Sequence, residues 1–302
     1  MKLRIGTRGS ALALIQTRLV TTALDGLGVH SEVVTIRPLG DRDKVSPMRA
    51  LGAGAFVKDL EVALTEGRVD LAVSSAKDLH SETTTGLAFA AFLPREDPLD
   101  ALIALNRRAL RALEAGATVG TSSPRRRAFV RAARPDLNVQ EIRGNVDTRL
   151  RKLESGEVAA LVLAAAGLAR LGLSDRVTER LDPAVMLPAI GQGAIVVQAR
   201  AGAHDLRALL SRIDHAPTRQ AVEAERAFVA ALGGSCETAI AALGTVEGDR
   251  LRLEGAVLDP DGAGIVRDRV HGPAAGPREL GRALAETLLA QGAGSLLVGV
   301  AR

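Results

Sequence analysis

Gly120-Thr121-Ser122-Ser123-Pro124-Arg125-Arg126-Arg127 obeys every local rule but one. Ser123 is a good N-cap and Pro124 suits the first helical position, so a helix should start here and stop near Arg134, just before Pro135. Residues 117–120 read as the end of a strand. The first turn of a helix carries the positive end of the macrodipole and unpaired N–H donors, which favour acidic residues, yet this turn carries three arginines. An anion docked at the turn relieves the conflict, through charge-assisted bonds to phosphate or carboxylate. A solvated helix end with its side chains in water is the plainer alternative.

Outward from this stretch, strands and helices alternate. Towards the N-terminus, residues 2–6 read as a strand, Ser10 caps a helix to about residue 24, and residues 32–37 form a second strand. Residues 38–54 form a long irregular loop, of the kind that covers active sites. A helix at 56–65 and strands at 69–75 and 87–93 follow, then a linker at 94–98. Lys77-Asp78 stands at a strand end, where ligands sit in open α/β sheets. Next come a strand at 101–105, a helix at 110–115, and the strand and arginine helix of the opening stretch. Beyond it lie a strand at 139–143, a helix at 145–155 and a very apolar strand at 159–163. Arg143-Gly144-Asn145 repeats the pattern of strand end, small residue and capped helix start, as Arg8-Gly9-Ser10 does, giving three anion cradles.

Residues 188–193 lead into a strand at 194–198, a return crossing to the first unit. Pro217 then opens a tail with a helix at 218–232, strands at 240–246, 251–258 and 265–270, and a helix at 278–289. Asp261-Gly262 occupies the last hairpin turn. The expected class is α/β, with three domains: 1–94 with 194–213, 99–188, and a small α+β domain at 217–302. The two crossings place a cleft between the first two.

Composition narrows the chemistry. The 302 residues are 47% hydrophobic and carry a net charge of +4, but only 2% are aromatic, with no Trp or Tyr, so stacking platforms for single-stranded nucleic acid are missing. No nucleic-acid partner is expected. One cysteine, Cys236, excludes an intramolecular disulfide and cysteine-cluster metal sites. The five histidines show no metal-ligand spacing, and no metal is expected. No stretch is long and apolar enough to span a bilayer and the start lacks a signal-peptide core, so a cytoplasmic protein is expected. Asp78, beside Lys77, is the carboxylate best placed for acid/base work, although an ordinary surface pair has the same spacing. Cys236 follows two glycines at a helix end, where a thiolate can act as nucleophile or tether, although a lone cysteine is often a buried small hydrophobe.

Eight ordered blocks resemble the porphobilinogen deaminase (hydroxymethylbilane synthase) family. They are Thr7-Arg8-Gly9-Ser10, Phe56-Val57-Lys58-Asp59-Leu60-Glu61, Ser75-Ala76-Lys77-Asp78, the stretch from Gly120 to Arg126, the stretch from Arg143 to Leu150, the stretch from Ala166 to Leu173, Leu187-Pro188-Ala189-Ile190-Gly191-Gln192-Gly193, and Gly233-Gly234-Ser235-Cys236. The resemblance implies two domains built like type 2 periplasmic binding proteins, and a third whose cysteine, here Cys236, holds a dipyrromethane cofactor by a thioether. It implies a monomer that links four porphobilinogens, with Asp78 as the catalytic carboxylate assisted by Lys77. Cofactor contacts fall on Ser75, Lys77, Thr121, Ser123, Arg125, Arg126, Arg143 and Gly144. Contacts to substrate fall on Arg8, Ser10, Arg149, Arg170 and Gln192, and a lid role on Phe56. Four positions depart from the pattern: Ala53, where lysine is common, Ser74 for histidine, His80 for proline, and Pro124 for an aliphatic residue. A small-anion-binding or effector-sensing module of the same architecture would share the three cradles and need neither Asp78 nor Cys236.

Overall fold

A computed structural model describes residues 2–38, 54–80, 83–233 and 238–297. The first lobe holds strands β1 (Leu3–Arg8), β2 (Ser31–Ile36), β3 (Leu71–Ser75) and β4 (Leu87–Phe92), with helices α1 (Ala11–Asp25) and α2 (Lys58–Thr65). The second holds β5 (Asp100–Ala104), β6 (Thr118–Gly120), α3 (Pro124–Ala133), β7 (Asn138–Gln140), α4 (Val146–Glu154), β8 (Ala160–Ala164), α5 (Ala165–Arg170) and β9 (Glu179–Arg180). The chain then returns through β10 (Ile195–Arg200) and α6 (His204–Leu210) to α7 (Ala216–Ala231), β11 (Ile240–Glu247), β12 (Arg250–Leu258), β13 (Ile265–Pro273), α8 (Pro277–Ala290) and α9 (Ala293–Leu297).

The two lobes share one topology. The first sheet runs β2-β1-β3-β10-β4 and the second β7-β6-β8-β5-β9. In each, four strands run one way and the fourth in the order runs against them: β10 against β3 and β4, β5 against β8 and β9. That fourth strand is the one that has just crossed from elsewhere in the chain. The repeated order brings the C-terminal ends of strands from both lobes to one cleft, where Arg8 of β1, Ser75 of β3 and Ala164 of β8 all belong to the lining.

The third unit is an antiparallel meander, β11-β12-β13, covered on one face by α7 and α8. Its other face joins the core of the second lobe, where Ala241, Leu243, Ala256 and Leu258 pack with Leu102, Val119, Phe129 and Leu187. The hairpin tip is anchored too, since Asp261 pairs with Arg131 of α3.

Local chemistry explains most boundaries. Ser10 and Ser123 accept capping bonds from the backbone N–H of Ala13 and Arg126, and Pro124 begins α3. His215 caps α7 through its ring, accepting from the Thr218 N–H. The helix expected at 110–115 is only a 3-10 turn at Leu110–Ala112. Its carbonyls have another donor: the Arg134 guanidinium binds the oxygens of Leu110, Arg111 and Leu113 at 2.9 Å each. The strand expected at 139–143 is confined to Asn138–Gln140, and α5 is a helix that the apolar run at 159–163 concealed.

Candidate active site

The cleft between the first two lobes encloses about 780 Å³. Its walls carry Arg8, Arg37, Lys77, Arg126, Arg143, Arg149 and Lys152, against Asp78 and Asp147. Arg8 ends β1, Lys77 and Asp78 occupy the turn after β3, and Arg143 and Gly144 precede α4. Arg126 enters from the first turn of α3.

Asp78 is held by Arg8, whose Nη1 lies 3.5 Å from Asp78 Oδ2. The same guanidinium stacks over the Phe56 ring at 4.3 Å from its centroid, so Phe56 and Asp78 together orient Arg8. Burial, with Arg126 nearby, pushes the Lys77 ammonium down to about 8, against an opposing pull from Asp78. Arg149 is pushed down to about 10 by burial and by Arg126 and Arg143. Among the described residues the lining thus carries more cations than anions.

Part of the anion demanded by the opening stretch is internal. Asp100, fully buried at the start of β5, places Oδ2 2.8 Å from Arg125 Nη1 and Oδ1 2.7 Å from Arg126 Nη2. Burial alone would raise its carboxyl; Arg125 and Arg126 outweigh this and hold it at about 2. One carboxylate thus serves two guanidiniums, and the cluster keeps a surplus positive charge beside the cleft.

Several expected ligand contacts take other partners and lie outside the cleft lining. Arg125 is turned inward to Asp100 and the Leu187 carbonyl. Thr121 is fully buried and accepts from the Ser123 N–H, while Ser123 accepts the α3 capping bond through its hydroxyl. Arg170 donates to the Gly193 carbonyl at 2.7 Å, tying α5 to the return crossing. Gln192 is fully buried and binds Asp100, Arg126 and the Pro98 carbonyl. Arg125, Thr121 and Gln192 are buried, Ser123 and Arg170 only partly, and each has a protein partner within hydrogen-bond distance.

Ser10, Ser75, Arg143, Gly144 and Arg149 do line the cleft. Asn145 makes no side-chain cap, contrary to expectation, and the turn is instead braced by Arg149 Nε donating to the Gly144 carbonyl at 2.8 Å. Cys236 and Ala53 lie outside the described residues. Sequence reasoning missed Gln16, a buried amide that donates to Ser75 Oγ at 2.8 Å and lines the cleft. Its signal was a polar residue on the buried stripe Ala13, Gln16, Thr17, Val20 and Leu24. Asp100 was also missed, an acid opening an apolar strand.

Two lobes that each take in a strand at the crossing, closed on a cationic cleft, define a two-lobed α/β protein with an appended α+β unit. The chain belongs to the porphobilinogen deaminase family. Residues 3–208 match the model described as "Porphobilinogen deaminase, dipyromethane cofactor binding domain", and residues 219–290 match that of the C-terminal domain. The chain is 49% identical to the porphobilinogen deaminase of Roseiflexus castenholzii over 302 residues, covering 98% of this chain and 99% of the relative. Against that of Nitratidesulfovibrio vulgaris it is 45% identical over 307 residues, covering 99% and 97%. Among solved structures, the methionine-binding protein MetQ aligns with 70% of this chain and 89% of its own, at 14% identity and a TM-score of 0.44.

Proposed function

We propose that this chain is a transferase that joins four porphobilinogen molecules, with loss of ammonia, into the linear tetrapyrrole hydroxymethylbilane on a dipyrromethane primer held by Cys236. The observation that carries the reading is the excess of cations around Asp78 in a single cleft. Each pyrrole unit brings two carboxylates, so a primer and a growing chain bring anions to a lining whose described residues carry more cations than anions. The donor set fits the primer: Lys77, Arg126, Arg143 and Arg149 present N–H groups to carboxylates, and Ser10 and Ser75 add hydroxyls. When bound, the primer supplies the nucleophilic pyrrole carbon to which each new unit is joined.

The chain's own residues do the rest. Asp78, with its carboxylate steadied by Arg8, faces the aminomethyl group of porphobilinogen, assists departure of ammonia and stabilises the positive charge left on the substrate. It then takes up the proton displaced from the ring carbon when the new bond forms. Lys77 offsets substrate carboxylates while protonated, and Phe56 keeps Arg8 directed at Asp78. Residues 1–94 with 194–213, 99–188 and 217–302 act as the three domains of this machine. No helix among the described residues is long and apolar enough to cross a membrane. With an acidic small-molecule substrate and few aromatic side chains, the chain works as a cytoplasmic monomer without nucleic acid.

Intact-protein mass tests the reading. The wild type is expected to exceed its sequence mass by one dipyrromethane and to give colour with an aldehyde reagent for pyrroles, and Cys236→Ser to show neither. An unmodified wild type that still makes tetrapyrrole would sink the tether.

A further inference from the structure

The buried cluster behind the cleft wall joins three parts of the chain that meet nowhere in sequence. Asp100 opens the strand by which the chain enters the second lobe, Gln192 stands on the segment by which it returns, and Arg126 begins the helix between them. Arg126 Nε donates to Asp100 Oδ1 at 2.9 Å, Nη1 to the Val162 carbonyl at 3.0 Å and Nη2 to Gln192 Oε1 at 3.3 Å. Gln192 Nε2 donates to the same Asp100 oxygen at 3.1 Å and to the Pro98 carbonyl at 2.7 Å. Three of the five guanidinium N–H groups are therefore committed to hydrogen bonds, and all three directions are fixed by buried groups. Arg126 nonetheless reaches the cleft lining, whereas Asp100 and Gln192 do not.

We propose that Asp100, locked by Gln192, is a positioning residue that acts through Arg126, holding that guanidinium as a preset carboxylate receptor in the cleft wall. The inference rests on the reading above for the chemistry of the ligand, the acetate and propionate arms of a pyrrole. Such an arrangement lowers the cost of binding, because Arg126 loses little freedom when the anion arrives. It also ties the receptor to both crossings, so a rotation between lobes that moves Asp100 against Gln192 changes the aim of Arg126. Arg125 shares Asp100 but does not line the cleft, so it contributes charge without contact.

The test is a double-mutant cycle on the full-length chain with Asp100→Asn, Arg126→Gln and the pair, plus Gln192→Leu, which leaves both charges in place. The probe is a pyrrole bearing acetate and propionate but no aminomethyl group, which binds without reacting; its dissociation constant is read by calorimetry in full-length chains that also carry Cys236→Ser, so that no primer occupies Arg126, beside kcat and KM for porphobilinogen in chains that keep Cys236. Asp100→Asn and Arg126→Gln are each expected to weaken probe binding and raise KM about tenfold, the strength of one charge-assisted hydrogen bond. In Asp100→Asn kcat should fall less than threefold. The double variant should bind no more than twofold worse than Arg126→Gln alone. Losses that multiply in the double variant, or wild-type binding by Asp100→Asn, overturn the proposal. If Asp100→Asn does not fold, Gln192→Leu decides: several-fold weaker binding supports the proposal and wild-type binding overturns it. A Cys236→Ser chain that binds the probe, beside a wild type that does not convert porphobilinogen, overturns the activity reading alone.

Discussion

Arg95, partly buried, and Glu225, fully buried, form an ion pair, with Nη1 2.6 Å from Oε1 and Nη2 3.3 Å from Oε2, and it lies where all three units of the chain meet. Arg95 leaves the first lobe after β4 and also donates through Nε to the Gln192 carbonyl. Glu225, fully buried on α7, accepts from the backbone N–H of Gly191 at 2.6 Å and of Gly244 at 2.8 Å. One carboxylate thus gathers the outgoing crossing, the returning crossing and the third sheet. Removing it leaves a partly buried guanidinium and two backbone donors unpaired, so Glu225→Ala should lose about 3–5 kcal/mol of stability, read from denaturant unfolding. A loss under about 1 kcal/mol would show that water replaces the carboxylate at this junction.

Asp78→Asn keeps the shape of the side chain and removes its charge. The variant should retain its covalent pyrroles by mass while kcat drops on the order of a hundredfold or more, the usual cost of deleting one preset electrostatic contact to a reacting centre. Turnover near that of the wild type would remove Asp78 from the chemistry.

Lys77 titrates at about 8 in the folded chain, against an ordinary value of 10.5. Between those values the folded chain has released a proton that the unfolded chain still holds, so this group adds stability as pH rises through that window. Carboxylate binding runs the other way, because the cation is lost. KM for porphobilinogen should therefore climb above about pH 8, and Lys77→Met should raise KM at pH 7 and flatten that limb. A Lys77→Met profile that still climbs assigns the limb to another group.

Gly144 has φ +114°, and a Cβ there would lie 2.7 Å from Thr148 Cγ2. Gly144→Ala should cost about 1–3 kcal/mol of stability and raise KM, because the turn presenting Arg143 and Arg149 must shift. Unfolding and steady-state kinetics on the same sample check both. An alanine variant with unchanged KM would show that the cradle tolerates the shift.

What sequence revealed follows from how local each cause is. Ser123 and Pro124 fix the start of α3 within one turn of chain, and the structure places that helix at Pro124–Ala133. The turns holding Arg8, Lys77, Asp78 and Arg143 were readable because each motif is contiguous, and all four residues line the cleft. The fate of Arg125 was not legible, since its partner Asp100 follows an Arg-Glu-Asp-Pro run that reads as a solvated linker. Nothing near position 100 announces that this acid is fully buried, because the burial is created by an arginine pair on a different element. Gln192 is similar: its backbone places it in the crossing, but only the folded core directs its amide to Asp100, Arg126 and the Pro98 carbonyl. Short-range chemistry was readable, and the division of arginines between wall and interior was not.

The placement of β10 between β3 and β4 has a consequence for how the chain is made. Among the described residues β4 pairs with β10 alone, so when the ribosome has delivered residue 92 that strand still awaits this partner until residues 195–200 emerge. Every strand of the second sheet is finished by residue 180, before the first sheet can close. The lobe that is translated first is therefore completed last, and its apolar strand Leu87–Phe92 waits longest for cover.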